Sequence, residues 1–442
     1  MIELAFFFHY ISDIVLNQVN SQQYLRKACV IDNKTTGDSF LKCYTQQQGF
    51  VSFVWPVTGS IYRWAMLFLC VFYVSLAASW SDTSGRRRRP LIFIAIFGQI
   101  MLSFSGFMNH SFKTSMIVTF ISNSIFEFIG GINMMFVVAQ IYICETAAVE
   151  NRTMRLGLLW VVRIVCQIIG YGIASNIINN VGFLMAYMIC LGLSIIAGVI
   201  AAFRVYDKFV VPEDSEEKQS FSQLFDVTRI AHSFKLVFKQ SLGRKRLLVV
   251  LLLIAYVLVY CVYEGDNGTA SYIINSLLES LAGTILHRSS LEFAKNVAII
   301  FCTLFCCVIL SKCLKVRDVS IGMFAGICNL IGVILYFFVG QTLHLYIDTM
   351  LNAFHGVILF TSVSYMSKFF DGKEFGRLFG VLNIFFCFVL INAWAYGILF
   401  AKNIDSYSPA AYYLCRVFLN IAVLVLYCIS FFYWQLVSDP EL

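Results

Sequence analysis

The chain has 442 residues, 59% of them hydrophobic and only 13% charged, with a mean hydropathy of +0.78. A water-soluble domain carries roughly 25% charged and 45–50% apolar residues, so this composition excludes one. The formal net charge of +7 does not point to nucleic acid, because the basic residues sit in short clusters between apolar runs, where they orient a membrane protein.

A membrane-spanning helix needs about 20 apolar residues. In chain order, runs of that kind are predicted at 2–20, 55–79, 91–108, 115–144, 157–176, 182–203, 246–275, 292–311, 319–340, 345–366, 376–400 and 409–434, about twelve in all. The first begins almost at Met1 and lacks both the basic flank and the small-residue cleavage site of a secretory signal. It is expected to remain as a helix, although His9, Asp13 and Gln18 interrupt its apolar run. The polar stretch 204–245, which holds Glu213, Asp214, Glu216 and Glu217, leaves six spans before it and six after. The predicted organisation is therefore all-α and polytopic: a six-helix bundle over 1–203, a central cytoplasmic loop over 204–245, and a second six-helix bundle over 246–442. A substrate cavity is expected between the bundles near mid-membrane.

Orientation follows from the basic residues. With the N-terminus inside, cytoplasmic loops hold about 21 Lys and Arg and outer loops about 8. Both termini are then cytoplasmic. The sequons at Asn33 and Asn109 fall on the outer side, where glycosylation is expected; Asn151 falls inside, and Asn267 lies within or just beyond span seven. Most of the 15 cysteines lie in apolar runs and act as small hydrophobes. Cys29 and Cys43 share one polar loop. They pair if that loop faces an oxidising compartment and are free thiols if it does not.

The sharpest local signal lies between spans two and three: Trp80, Ser81, Asp82, then Gly85 followed by Arg86, Arg87, Arg88, Arg89 and Pro90. An Asp followed three residues later by Gly and two basic residues resembles the loop signature of the major facilitator superfamily; Asp82, Gly85, Arg86 and Arg87 match it. Gly85 permits a tight turn between antiparallel helices. Ala77 and Ala78 let the second helix approach a neighbour, although the family usually has Gly at 78. Asp82 is placed to accept hydrogen bonds from a helix N-terminus, where the macrodipole favours negative charge. The resemblance implies a cytoplasmic latch between the two halves, with Arg86 and Arg87 pairing to carboxylates such as Glu145. It also implies the twelve-helix facilitator fold and transport by alternating access.

A narrower set of segments resembles solute carrier family 46, the proton-coupled folate transporter family. They are Gln22–Leu25 with Cys29, Trp80–Asp82, Gly130–Gly131 with Tyr142–Thr146, Arg152–Leu159, Tyr263–Asp266 and Ser367–Gly376. The chain departs from the folate member at three positions: Trp160 stands for a glutamate, Tyr263 for a histidine and Val363 for an arginine. The resemblance therefore implies a divergent relative with another substrate.

Ionisable residues inside spans cost a few kcal/mol and need a cavity or a partner. The candidates for substrate or proton binding are Asp13, one turn from His9 on span one; Glu127 on span four; Arg163 on span five; and Glu264 and Asp266, whose surrounding glycines can unwind span seven. Arg163 either binds an anionic substrate or pairs with Glu127. Asp348 and Arg416 are expected near the outer ends of spans ten and twelve, solvated at the interface. No P-loop, zinc-ligand cluster or nucleophile elbow is present in the sequence, so no enzyme, metal or cofactor is expected. The functional expectation is a secondary active transporter of a small polar or anionic organic solute, with protons as a candidate co-substrate, in the plasma or lysosomal membrane. The alternative is a facilitator-fold sensor or binding protein that does not turn over.

Overall fold

A computed structural model describes residues 2–31, 60–83, 88–129, 131–207, 226–237, 245–265, 285–335, 338, 342–401 and 409–438. Fifteen α-helices and no strand occur among the described residues. In chain order they are α1 (Ile2–Ile31), α2 (Ser60–Thr83), α3 (Arg89–Ser111), α4 (Met116–Ile129), α5 (Gly131–Thr146), α6 (Arg152–Asn180), α7 (Phe183–Arg204) and α8 (Thr228–Val237). After these come α9 (Lys245–Gly265), α10 (Ile285–Leu304), α11 (Asp318–Leu335), α12 (Thr342–Asn352), α13 (His355–Ser367), α14 (Phe375–Ala401) and α15 (Pro409–Ser438). Seven helices among the described residues are individually long and apolar enough to cross a membrane.

Apart from α8, which lies within the expected central loop 204–245, these elements fall on the twelve expected spans. Span four holds α4 and α5; span eight is α10 continued by a π-helix over Phe305–Cys313; span ten is α12 followed by α13. Helix is what the residue types require, since in lipid every backbone polar group must be satisfied within the segment. The side-chain distribution is inverted relative to a soluble protein. Phe203 is 71% exposed, Phe301 69% and Phe418 68%, whereas His9, Ser12, Asn329 and Asp348 are buried. Large apolar side chains outside and polar ones inside fit a lipid solvent.

By contact the described chain falls into two compact units. One is Met1–Ala139 with Cys166–Phe225; the other is Gln140–Val165 with Asp226–Leu442. Gln140–Val165, the end of span four and the start of span five, thus groups with the second half of the sequence. The physical reason is polar: at the start of α6, Arg152 donates to the Ser367 carbonyl at 2.8 Å and Thr153 to the Asp318 carboxylate at 2.8 Å.

Each unit uses the same packing device. In the first, α3 and α7 pack with Gly106 against the ring of Tyr187; in the second, α11 and α15 pack with Gly322 against the ring of Tyr427. A β-carbon at either glycine would run into the ring, so only glycine allows this approach. The hydroxyls are anchored too. Tyr187 donates to Asn20 Oδ1 at 2.8 Å, and Tyr427 lies 2.5 Å from Ser362 Oγ and 3.2 Å from the Ile358 carbonyl.

The short helix α8 packs against α14, with Ser233, Leu236 and Val237 buried and Phe234 edge-on to Phe385 at 5.9 Å. Asp226 starts it: its carboxylate accepts from the Thr228 amide at 3.0 Å and the Thr228 hydroxyl at 2.7 Å. Those bonds hold the Asp226 carboxyl below its ordinary range.

Candidate functional site

The loop between spans two and three carries the first cluster. Asp82 at the end of α2 accepts from Arg88 Nη2 at 2.6 Å, with both side chains enclosed by protein. Arg88 Nη1 also donates to Ser81 Oγ, which in turn donates to the Ala78 carbonyl at 2.7 Å. The N-terminus of α3 is met by another carboxylate: Asp207 Oδ1 accepts from the backbone amides of Arg88 at 2.8 Å and Arg89 at 3.0 Å. Negative charge at a helix N-terminus is favourable for the reason given for Asp82, but Asp207 supplies it, from the end of α7. Arg89 Nη2 donates back to the Ala202 carbonyl at 2.7 Å, a cation at a helix C-terminus. In the sequence the four arginines are equivalent neighbours; among the described residues Arg88 pairs with Asp82. Gly85, Arg86 and Arg87 lie outside the described residues, and Glu145 is half-buried near the end of α5.

The first unit has a polar interior along α1. Ser12 Oγ donates to the Cys190 carbonyl at 2.9 Å and meets Ser194 Oγ at 2.9 Å. Asp13 is buried and accepts from Asn17 at 3.0 Å; His9, one turn earlier, is fully buried. Gln167 donates to the Tyr10 hydroxyl at 3.3 Å. At the far end of α3, Asn109 is buried. Its amide nitrogen donates to Ser122 at 2.7 Å and Ser105 at 3.2 Å, and its amide oxygen accepts from Thr114 at 3.0 Å. These bonds make the Asn109 side chain part of the packing between α3 and α4. Asn33, Cys43 and Asp266 lie outside the described residues, as do the side chains of Cys29 on α1, Glu127 on α4 and Glu264 on α9.

The second unit holds Arg163. Its guanidinium lies over the Trp160 ring, 4.9 Å from the centroid and one turn back on the same helix, and its Nη1 reaches the Tyr260 hydroxyl at 3.5 Å. Trp160 is edge-on to Tyr263 at 6.4 Å, and Tyr260 continues the row to Tyr263 at 5.9 Å and to Tyr256 at 5.6 Å. A guanidinium is weakly hydrated, stacks on aromatic faces and has a planar fork of donors that matches a planar anion. Two of the three positions that depart from the folate member, Trp160 and Tyr263, therefore touch each other, and the third, Val363, is buried on α13.

A carboxylate cluster that sequence inspection passed over joins spans five, nine and ten. Asp318, first residue of α11, accepts from Thr153 at 2.8 Å, from Ser364 at 3.1 Å and from Lys368 at 2.7 Å. Asp348 and Arg416 also correct the expectation drawn from the sequence. Asp348 is 0% exposed and Arg416 5%, so both are enclosed by protein instead of solvated at an interface. Asn352 connects them: its amide nitrogen donates to Asp348 at 3.0 Å and its amide oxygen receives Arg416 Nη2 at 3.4 Å. No group of His, Cys, Asp and Glu among the described residues has the arrangement to hold a metal ion.

The family profile of the Major Facilitator Superfamily matches residues 5–395. Solved structures of similar fold span nearly the whole chain. A bacterial homologue of the iron transporter ferroportin, in an outward-facing state, has a TM-score of 0.66 at 12% identity and covers 98% of this chain and 99% of its own. The E. coli fucose:proton symporter has a TM-score of 0.63 at 12% identity, covering 99% and 98%. The human organic anion transporter MFSD10 has a TM-score of 0.64 at 13% identity, covering 98% of each chain. At such identities the likeness establishes the fold alone. No curated protein matches the chain.

Proposed function

The chain belongs to the major facilitator superfamily, and on that premise we propose that it is a secondary active transporter of a small anionic organic solute, with Arg163 as the group that receives the anion. The observation that carries this is the Arg163 guanidinium held on Trp160 and beside Tyr260. A cation inside an apolar span is costly unless it serves a polar ligand or a pathway. An aromatic seat lowers that cost. Alternating access between halves 1–203 and 246–442, with both termini cytoplasmic, is part of the same proposal. Asp82 with Arg88, and Asp318 with Lys368, supply ion pairs at span ends of the kind such a cycle can make and break. The segments that resemble solute carrier family 46 support a kinship in which the solute has changed, since Trp160, Tyr263 and Val363 replace ionisable groups. Surface and lysosomal membranes both suit the basic loops assigned to the cytoplasm.

The test is ligand-induced thermal stabilisation of the purified protein with a panel of organic anions, folates included, followed by uptake of each hit into cells. Stabilisation and uptake lost together in Arg163→Ala are expected. A hit that stabilises and enters equally in Arg163→Ala would remove Arg163 from the site.

A further inference from the structure

We propose that His355 is a proton-binding group, and that its charge sets how tightly Arg416 holds the break in span ten. The proposal rests on the transporter reading above, to which it adds the coupling ion.

Span ten is broken between α12 and α13: the Ala353 amide still makes an α-type bond to the Thr349 carbonyl at 3.2 Å, and the Phe354 amide then makes a shorter 3₁₀-type step to the Leu351 carbonyl at 3.3 Å. Gly332 of α11 lies against the break: a β-carbon there would stand 2.9 Å from Leu351 Cβ and 3.0 Å from the Asn352 nitrogen. Asn352, the last residue of α12, is the junction. Its side chain spans Asp348 and Arg416, and its backbone carbonyl lies 2.5 Å from His355 Nδ1. A carbonyl only accepts, so Nδ1 carries the hydrogen and Nε2 is the basic nitrogen of the neutral ring. A proton arriving from water adds at Nε2 and gives the imidazolium, while the Nδ1–H bond to Asn352 persists in both states.

The surroundings act on that charge with both signs. Tyr263 of α9 packs on the imidazole, 4.9 Å between centroids and tilted 31°, a cation–π seat for the charged form. The C-terminus of α12 also favours the cation, and the N-terminus of α13 opposes it. On the helix of span ten itself Asp348 attracts through Asn352; from α15 Arg416 repels through the same residue. Among the described side chains, the other charged groups on packed elements stand further along their helices. Lys295 of α10 is one turn before Ile299, whose side chain faces Gly356. Asp318 of α11 is engaged by Lys368 and Thr153, and Arg163 of α6 sits on Trp160 and Tyr260. A second positive charge on the Asn352 junction weakens the 3.4 Å contact from Arg416, so protonation frees the break and deprotonation closes it.

The experiment is histidine ¹⁵N NMR of the full chain in lipid nanodiscs, with no solute present. The chain has six histidines, and the His355 signals are those lost in His355→Gln. The expected result is an Nδ1–H neutral ring at about pH 8 that becomes doubly protonated toward about pH 5. At about pH 6 the doubly protonated fraction should fall roughly threefold in Asp348→Asn and rise in Arg416→Gln. A His355 that stays neutral over that range, or a fraction indifferent to both variants, overturns the proposal. Solute uptake measured alongside separates the two readings: transport without this titration removes the site, and titration without transport of any solute removes the carrier function.

Discussion

Replacing Asp318 with Asn tests the carboxylate that joins the start of span five to the end of span ten. The side chain is 2% exposed and accepts from Thr153 and Ser364, while Lys368, 26% exposed, pairs with it at 2.7 Å. Hydrogen bonds to a charged acceptor contribute about 1.5–3 kcal/mol each, and the amide of the replacement recovers one of the two through its oxygen. The pair with the partly exposed lysine adds about 1 kcal/mol or less. The expected loss in Asp318→Asn is therefore about 2–4 kcal/mol in unfolding experiments on the purified protein in mixed micelles. Lys368→Met should cost less, because Thr153 and Ser364 still satisfy the carboxylate. The double variant should reveal a coupling of about 0.5–1 kcal/mol. A lysine variant as damaging as the aspartate variant, or strict additivity, would show that the ion pair is not organised around Asp318.

Three further outcomes follow from the packing and the caps. Gly322→Ala should push Tyr427 from Ser362 and the Ile358 carbonyl and cost about 1–3 kcal/mol, recovered in part by Tyr427→Leu in the same chain; no loss in the single variant refutes the close approach. Gly106→Ala should behave alike against Tyr187. Asp207→Asn should weaken the start of α3 by about 1 kcal/mol, seen as faster hydrogen exchange at Leu91 and Ile92 and left unchanged if Asp82 is the carboxylate that matters there. For α8 the relevant group is exposed and its carboxyl is held below its ordinary range by Thr228. A depressed folded value means that the cap's contribution is present above the unfolded value and lost as pH falls through the folded one. Exchange protection of residues 229–237 should hold from neutral pH to about pH 4 and decline below it; a decline already at about pH 6 would contradict the cap.

The helices were legible because apolar runs of spanning length have few other structures open to them. The breaks were not. The interruption at Ala353–Phe354 depends on what packs against it, namely Gly332 from another helix. Arg163 was legible as a cation in an apolar stretch, yet its seat on Trp160 and Tyr260 was hidden, since aromatic residues are common throughout this sequence. Asp82 was found by its motif, while its contact with Arg88 required the fold. Asp207 and Asp318 passed unnoticed because a lone carboxylate at a loop edge ordinarily faces water. Asp348 and Arg416 were misplaced by counting residues from the span ends; Asn352, which joins them, carries no charge to attract attention.

The most direct measurement of the transport claim is net accumulation of a radiolabelled organic anion in proteoliposomes under an imposed inward proton gradient, comparing the native chain with Arg163→Lys and Arg163→Ala. Accumulation above the external concentration is expected for the native chain. Arg163→Lys should retain only a minor part, because an ammonium keeps the charge but loses the planar fork and the aromatic seat. Arg163→Ala should retain none. Equilibration without accumulation, or accumulation indifferent to residue 163, would contradict a secondary transporter whose solute is received at Arg163.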